Sequence, residues 1–294
     1  MAKMIHIAVG STTSKPGDVA GNLRQIAAFA AQAGKDGVDV LLTPELSATG
    51  YGGYDDVVAT AEEAGKGPIY RELAAMAKAN NVVVCAGFVE ANKGKRHLSH
   101  YAIFPDGKFV VQRKHRVTRV EQPLEEPFEL VPQPNEKDPA IRGQPAKLEF
   151  SYFEVRGVKC AITICADGGI TNLGEILRKD GVELLLGPAG AGGKLEDRVR
   201  TEDLKTDEGR EKYLKWLELV FFPGRGVTDC IKYGRALAAV NQCGYDGRKF
   251  AHLGHGMIIT PMGEVAGFFH GIPNLDRQRP MYAHAVVDVA DKVV

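Results

Sequence analysis

A layered α/β fold with mixed sheets is what this sequence predicts, and three features predict it. Short apolar runs at 4–9, 38–43 and 82–88 alternate with helix-forming stretches at 22–33 and about 69–79, a βαβαβ order. Three pairs of strand-like segments then surround turn residues and read as antiparallel hairpins, so the sheets mix parallel and antiparallel neighbours. No self-similar period of solenoid length runs through the chain.

Taken in order, the run at 4–9 is a first strand, since its apolar part is too short for a signal peptide. The Ala-rich stretch 22–33 is a helix expected to stop near Gly34. Residues 38–43 form a buried strand that ends at Pro44 and Glu45, and the 69–79 helix leads into the strand 82–88. Cys85 lies inside that unbroken apolar run and reads as core. The hairpins are 101–104 with 108–112 around Pro105, Asp106 and Gly107; 150–155 with 159–164 around Arg156 and Gly157; and 256–260 with 264–268 around Pro261, Met262 and Gly263. Two stretches read as loop insertions that shape a pocket. Residues 121–144 are rich in Pro, Glu and Asn, while 189–226 begins Gly-rich, turns charged and carries an amphipathic stretch around 213–220. No linker divides the chain, so 1–294 is read as one domain.

Composition narrows the function classes. Among 294 residues, 44% hydrophobic and 25% charged, Lys+Arg and Asp+Glu balance at 37 each, which gives no argument for nucleic acid or an anionic membrane. No apolar run approaches bilayer length. The five cysteines, at 85, 160, 165, 230 and 243, are odd in number and show no CxxC spacing. A disulfide framework or thiolate metal site is therefore not expected; reduced thiols in a cytoplasmic enzyme without metal or cofactor are.

Three segments could carry chemistry. Cys165 ends a strand just before Asp167, Gly168 and Gly169; a thiol at such a corner stands clear of its own backbone, and a following amide can face an oxyanion. By strict alternation Cys160, Ile162 and Ile164 share one face, with Ala161, Thr163 and Cys165 on the other. The competing reading of a strand cysteine is a small inert hydrophobe. Glu45 follows a buried strand and precedes Gly50 and Tyr51; a carboxylate there can act as general base, or be a solvated loop residue. Lys114 also ends a strand, within the basic run Arg113, Lys114, His115 and Arg116. Such a run is ordinarily a solvated face, although a fixed ammonium can hold a carboxylate and stabilise an oxyanion. His115 reads as exposed and idle, and none of the eight histidines is marked as a partner for Cys165 in a Cys–His enzyme.

Together these segments resemble the nitrilase superfamily of carbon–nitrogen hydrolases, in its amidase-like branch. The stretch from Pro44 to Tyr51 is similar to the family's first motif, Arg113-Lys114 to the second, and Ile164-Cys165-Ala166-Asp167 to the third. Downstream, 235–241 and 254–265 resemble the segment beside the site and the late hairpin, so the likeness runs from about 4 to 289. It implies a four-layer α-β-β-α sandwich of two mixed sheets and a Glu–Lys–Cys triad. Cys165 would be nucleophile, Glu45 base and then acid, and Lys114 the clamp that forms the oxyanion site with the Ala166 amide. Tyr51 and Asp167 would complete the pocket, Asp167 by accepting backbone N–H bonds at the corner. A second, supporting glutamate is expected at Glu126, with Glu125 and Glu129 as rivals. The Cys165-Ala-Asp-Gly start is more similar to aliphatic amidases and formamidases than to true nitrilases, which favour Cys-Trp-Glu. The resemblance thus implies hydrolysis of a small amide through a cysteine thioester by a homodimer or larger homo-oligomer. The alternatives it leaves are a nitrilase, an N-carbamoyl amine hydrolase, an acyltransferase or a catalytically silent binding member.

Overall fold

The computed structural model describes residues 2–132, 143–221, 224–271 and 275–293. The first half runs β1 (Met4–Ser11), α1 (Val19–Asp36), β2 (Val40–Leu42), α2 (Asp55–Val58), α3 (Pro68–Asn80), β3 (Val83–Asn92), β4 (Lys95–Ile103) and β5 (Phe109–Arg113). A small ribbon, β6 (Leu130–Val131) with β7 (Gln144–Pro145), joins it to the second half. There follow β8 (Phe153–Val155), β9 (Val158–Ile162), α4 (Leu173–Lys179), β10 (Leu184–Ala189), β11 (Gly192–Lys194), α5 (Asp207–Phe221) and α6 (Gly224–Tyr233). The chain continues with β12 (Ala236–Asn241), β13 (Cys243–Tyr245), β14 (Phe250–Leu253), β15 (Gly256–Ile259), β16 (Val265–Phe269) and β17 (Met281–Asp288).

Two six-stranded sheets dominate, in the orders β17-β1-β2-β3-β4-β5 and β16-β15-β12-β10-β9-β8. Each has three parallel strands at its centre (β1, β2, β3 and β9, β10, β12) flanked by antiparallel neighbours. The halves therefore repeat one connection pattern, with β17 taking the place at β1 that β8 takes at β9.

Period two explains the layers. Ile5, Ile7, Val9, Val40, Leu42, Val83 and Cys85 pack between the sheets with Cys160, Ile162, Leu184, Leu186, Ala238 and Val240. The alternate residues Ala8, Leu41, Val84 and Ala86 face outward, under Leu23, Ile26 and Ala30 of α1 and Ile69, Leu73 and Ala77 of α3. Across the second sheet Ala161 packs with Leu173 and Leu177 of α4. The result is the four-layer α-β-β-α sandwich. A strand covered on both faces must be apolar throughout, which is why these strands read as unbroken runs instead of alternating ones.

Two local readings change. α1 does not stop at Gly34 but continues to Asp36 and is capped by Gly37. A Cβ at 34 would lie 2.8 Å from the Asn80 carbonyl oxygen, so this glycine marks the close approach of α1 to the end of α3. The expected insertions also hold regular structure: β6 and the start of β7 in 121–144, and β11, α5 and the start of α6 in 189–226. Parts of both, 133–142 and 222–223, lie outside the described residues. Among the described residues no helix is long and apolar enough to cross a membrane.

Candidate active site

Segments that follow strands of both sheets meet at one place, where Lys114 bonds Glu45 and Asp167 ties the end of the Lys114 strand to the Cys165 corner. Glu45 follows β2. Its loop is held by Thr43, whose hydroxyl donates to the Cys85 carbonyl at 2.8 Å, and by Gln242, whose amide donates to the Glu45 carbonyl. Lys114 follows β5, with its backbone N–H on the Leu98 carbonyl at 2.8 Å. Its ammonium donates to Glu45 Oε1 at 2.7 Å and to both oxygens of Glu121 at 2.6 and 2.8 Å. Glu45, Lys114 and Glu121 are all fully buried.

The supporting carboxylate on Lys114 is thus Glu121 and not Glu126, which is partly exposed on the chain beyond it. Glu121 closes a short 3₁₀ turn, and its side chain reaches back to the Thr118 N–H at 2.8 Å. The sequence signal was there: Thr118-x-x-Glu121 has the spacing at which a glutamate returns to the start of a helical turn. Glu121 also accepts the Tyr51 hydroxyl at 2.9 Å, so Tyr51 braces the second carboxylate.

The basic run does not lie on a solvated face. Lys114, His115 and Arg116 are each at most 2% exposed. Arg113 makes a two-pronged bond to the buried Glu90 at 2.7 and 2.8 Å. His115 is neither exposed nor idle: its Nε2 accepts the Glu149 N–H at 3.1 Å, and its ring packs against Phe150. Burial on this scale requires partners, and Asp167 supplies several. It accepts the backbone N–H groups of His115 at 3.1 Å, Arg116 at 2.9 Å and Ile164 at 3.3 Å. One carboxylate thereby ties the end of the Lys114 strand to the corner that carries Cys165.

Cys165 departs from simple alternation. β9 ends at Ile162, and Cys165 takes a left-handed conformation with φ 47°. It packs against the core between the sheets, the side of Ile162 and Ile164, instead of the helix side with Ala161. A left-handed L-residue costs on the order of 1–2 kcal/mol, and here it stands where the charges of Glu45 and Lys114 both act on the thiol. Cys165 and Ala166 are only partly buried, so the corner is open to a ligand where the carboxylates behind it are closed.

Electrostatics couples the group. Burial pushes the Cys165 thiol up to about 12, aided by the Glu45 carboxylate and opposed by the Lys114 ammonium. Burial also raises Glu45 above the usual carboxylate range, against the pull of Lys114. Glu121, Glu45 and Lys114 sum to one negative charge when both acids are ionised. A second anion at Cys165 is costly, whereas moving the thiol proton to Glu45 leaves the total unchanged.

Gly190, after β10, is a site residue that nothing in the sequence marked beyond a Gly-rich stretch. A Cβ there would lie 2.3 Å from the Tyr51 ring and 3.0 Å from Glu45 Oε2, and the Gly190 N–H favours the ionised Cys165 sulfur. Gly190→Ala is expected to lower kcat/KM by about two powers of ten with the fold retained, since displacements near 1 Å cost about that much. Steady-state kinetics beside circular dichroism checks this; unchanged kinetics would place Gly190 outside the site.

The family model described as carbon–nitrogen hydrolase matches residues 6–270. Among solved structures, a double mutant of the amidase from Nesterenkonia sp. AN1 in complex with acrylamide has a TM-score of 0.69 at 19% identity, covering 98% of this chain and 92% of that one. A mutant of that amidase, showing covalent addition of the acetamide moiety of fluoroacetamide at its active-site cysteine, has a TM-score of 0.66 at 20% identity, with 99% and 92% covered. A further mutant of it in complex with butyramide gives 0.66 at 19%, with 98% and 92% covered. No curated protein matches the chain in sequence.

Proposed function

Since the chain belongs to the carbon–nitrogen hydrolase family, we propose that it hydrolyses the C–N bond of a small amide through a thioester on Cys165. The observation that carries this reading is the fully buried Lys114 ammonium held between Glu45 and Glu121, beside the left-handed corner at Cys165. A buried cation gripped by two carboxylates contributes little to stability that apolar residues would not, so its use is sought in chemistry.

The steps follow from the proton accounting. Glu45 takes the Cys165 proton as sulfur attacks the amide carbon, because the thiol is too weak an acid to ionise alone. Lys114 and the Ala166 N–H face the oxyanion. Protonated Glu45 then delivers its proton to the departing nitrogen, the C–N bond breaks, and ammonia or an amine leaves a thioester. Water attacks that thioester with Glu45 again as base, the acid leaves, and the sulfur regains its proton. Asp167 positions both strand ends through backbone N–H bonds and does not meet the reacting atoms.

Amides are favoured over nitriles. An amide's tetrahedral intermediate needs room for a leaving group and a proton donor for it, and small residues (Ala166, Gly168, Gly169) follow Cys165. Matched amide and nitrile pairs sharing one acyl part test this, with ammonia and acid measured and hydroxylamine added to trap the thioester. Faster acid release from the amides, with hydroxamate formed, is the expected result. Faster acid release from the nitriles would overturn it.

A further inference from the structure

Beside the triad, His252 on β14 is a buried histidine that the reaction above leaves unused. It is 1% exposed, and its ring stands edge-on to Tyr51 with centroids 5.4 Å apart and an interplanar angle of 88°. Its Nδ1 lies 3.3 Å from the Ala191 carbonyl. A carbonyl can only accept, so Nδ1 carries the proton and Nε2 is left as a bare acceptor. Burial holds the ring neutral, its basicity lowered to about 4. Nε2 has no hydrogen-bond partner among the described residues. An unmet buried acceptor is costly, and the ring that carries it lies against Tyr51 and the Ala191 carbonyl, next to Gly190, where a Cβ would meet both Tyr51 and Glu45 Oε2.

The neighbouring groups have the same polarity. Asn241 donates its amide to the Ala191 carbonyl at 2.8 Å, and Gln242 donates its amide to the Glu45 carbonyl. Those bonds fix which end of each amide is nitrogen, leaving Asn241 Oδ1 and Gln242 Oε1 as acceptors. Both oxygens, like Glu45 Oε2, lack a donor among the described residues. Four buried acceptors thus gather around the 190–191 peptide and Glu45. Such a lining welcomes N–H and O–H groups and rejects lone pairs.

Resting on the amide-hydrolase reading above, we propose that His252 Nε2 is a specificity-determining acceptor, and that the substrate is an amide whose acyl part carries a hydroxyl or amino donor. A plain aliphatic acyl part offers this nitrogen no donor. A site built to accept a donor rejects the analogue that lacks one far more strongly than it rejects a missing methylene.

Four amides decide the matter: on the acyl part, lactamide and alaninamide carry a donor, isobutyramide of the same shape carries a methyl group, and O-methyl-lactamide, one methyl larger, carries only an acceptor. The expected kcat/KM for the better donor amide is about tenfold or more above isobutyramide, with the methyl ether as poor as isobutyramide. His252→Leu should bring all four to within about twofold by losing rate on the donor amides alone. His252→Gln, whose amide offers both a donor and an acceptor, should restore much of the preference. Equal rates for all four with the unaltered protein overturn the proposal, as they would if Nε2 were met by a buried water; this arm needs no variant to fold. If no amide is turned over, the functional reading fails instead. Thermal-shift binding of the same four to Cys165→Ala then tests His252, and isobutyramide binding as well as lactamide would overturn its role.

Discussion

Cys165→Ala is expected to lower amide turnover by on the order of 10⁴-fold or more, while the protein melts within a few degrees of the unaltered chain. Acidity does not single this thiol out: burial pushes Cys160, Cys165 and Cys230 alike up to about 12, and Cys243 to about 11. Its neighbours do. Glu45 and Lys114 both act on Cys165, whereas desolvation and Cys160 are what act on Cys85 in the core. Cys165 is also partly exposed, and the other four are buried. Cys243→Ser should be nearly silent, because a serine hydroxyl can donate to the Ser11 or Arg279 carbonyl that the thiol already faces. Intact mass after mixing with amide reads the result: an acyl adduct on the unaltered chain and none on Cys165→Ala. Appreciable turnover by Cys165→Ala would remove the thioester from the mechanism.

What the sequence shows of this fold follows from how locally each feature is determined. Strands β1, β2 and β3 are covered on both faces, so their apolar runs announce them without reference to anything distant. β17 does not announce itself. It is an edge strand, partly exposed along most of its length, and its place beside β1 depends on a pairing nearly the whole chain apart. The site divides in the same way. Glu45, Lys114 and Cys165 stand at strand ends, where a chemical residue after an apolar run is visible. The face taken by Cys165 was not, since one left-handed residue overrides the alternation of the strand before it. The burial of Lys114, His115 and Arg116 is equally hidden, because Glu121 and Asp167 come from separate segments. The family pattern points to Glu126, whereas the turn chemistry of Thr118 points to Glu121.

Glu45→Gln should slow acylation by about two to four powers of ten, since the amide keeps the shape but cannot take a proton. It should also stabilise the fold, in a way that depends on pH. The carboxyl of Glu45 is raised by burial above its ordinary value of 4.5, so the folded chain holds that proton more firmly than the unfolded chain. Below the unfolded value both states are protonated, and Glu45 costs nothing. As pH rises above 4.5 the unfolded state releases its proton first, and stability is lost until the folded group also ionises. The glutamine variant escapes that loss. Its side-chain oxygen can still accept from Lys114, and its nitrogen takes the place of Oε2, which has no partner among the described residues. The melting temperature of Glu45→Gln minus that of the unaltered protein should therefore grow from near zero around pH 4.5 toward neutrality. The kcat/KM of the unaltered enzyme should rise across the same window, as the base form accumulates. Melting curves and rates collected over one pH series check both. A difference that shrank as pH rose would mean that Lys114 outweighs burial and holds Glu45 ionised. Glu45 would then already be in its base form across that window, and kcat/KM should stay flat there.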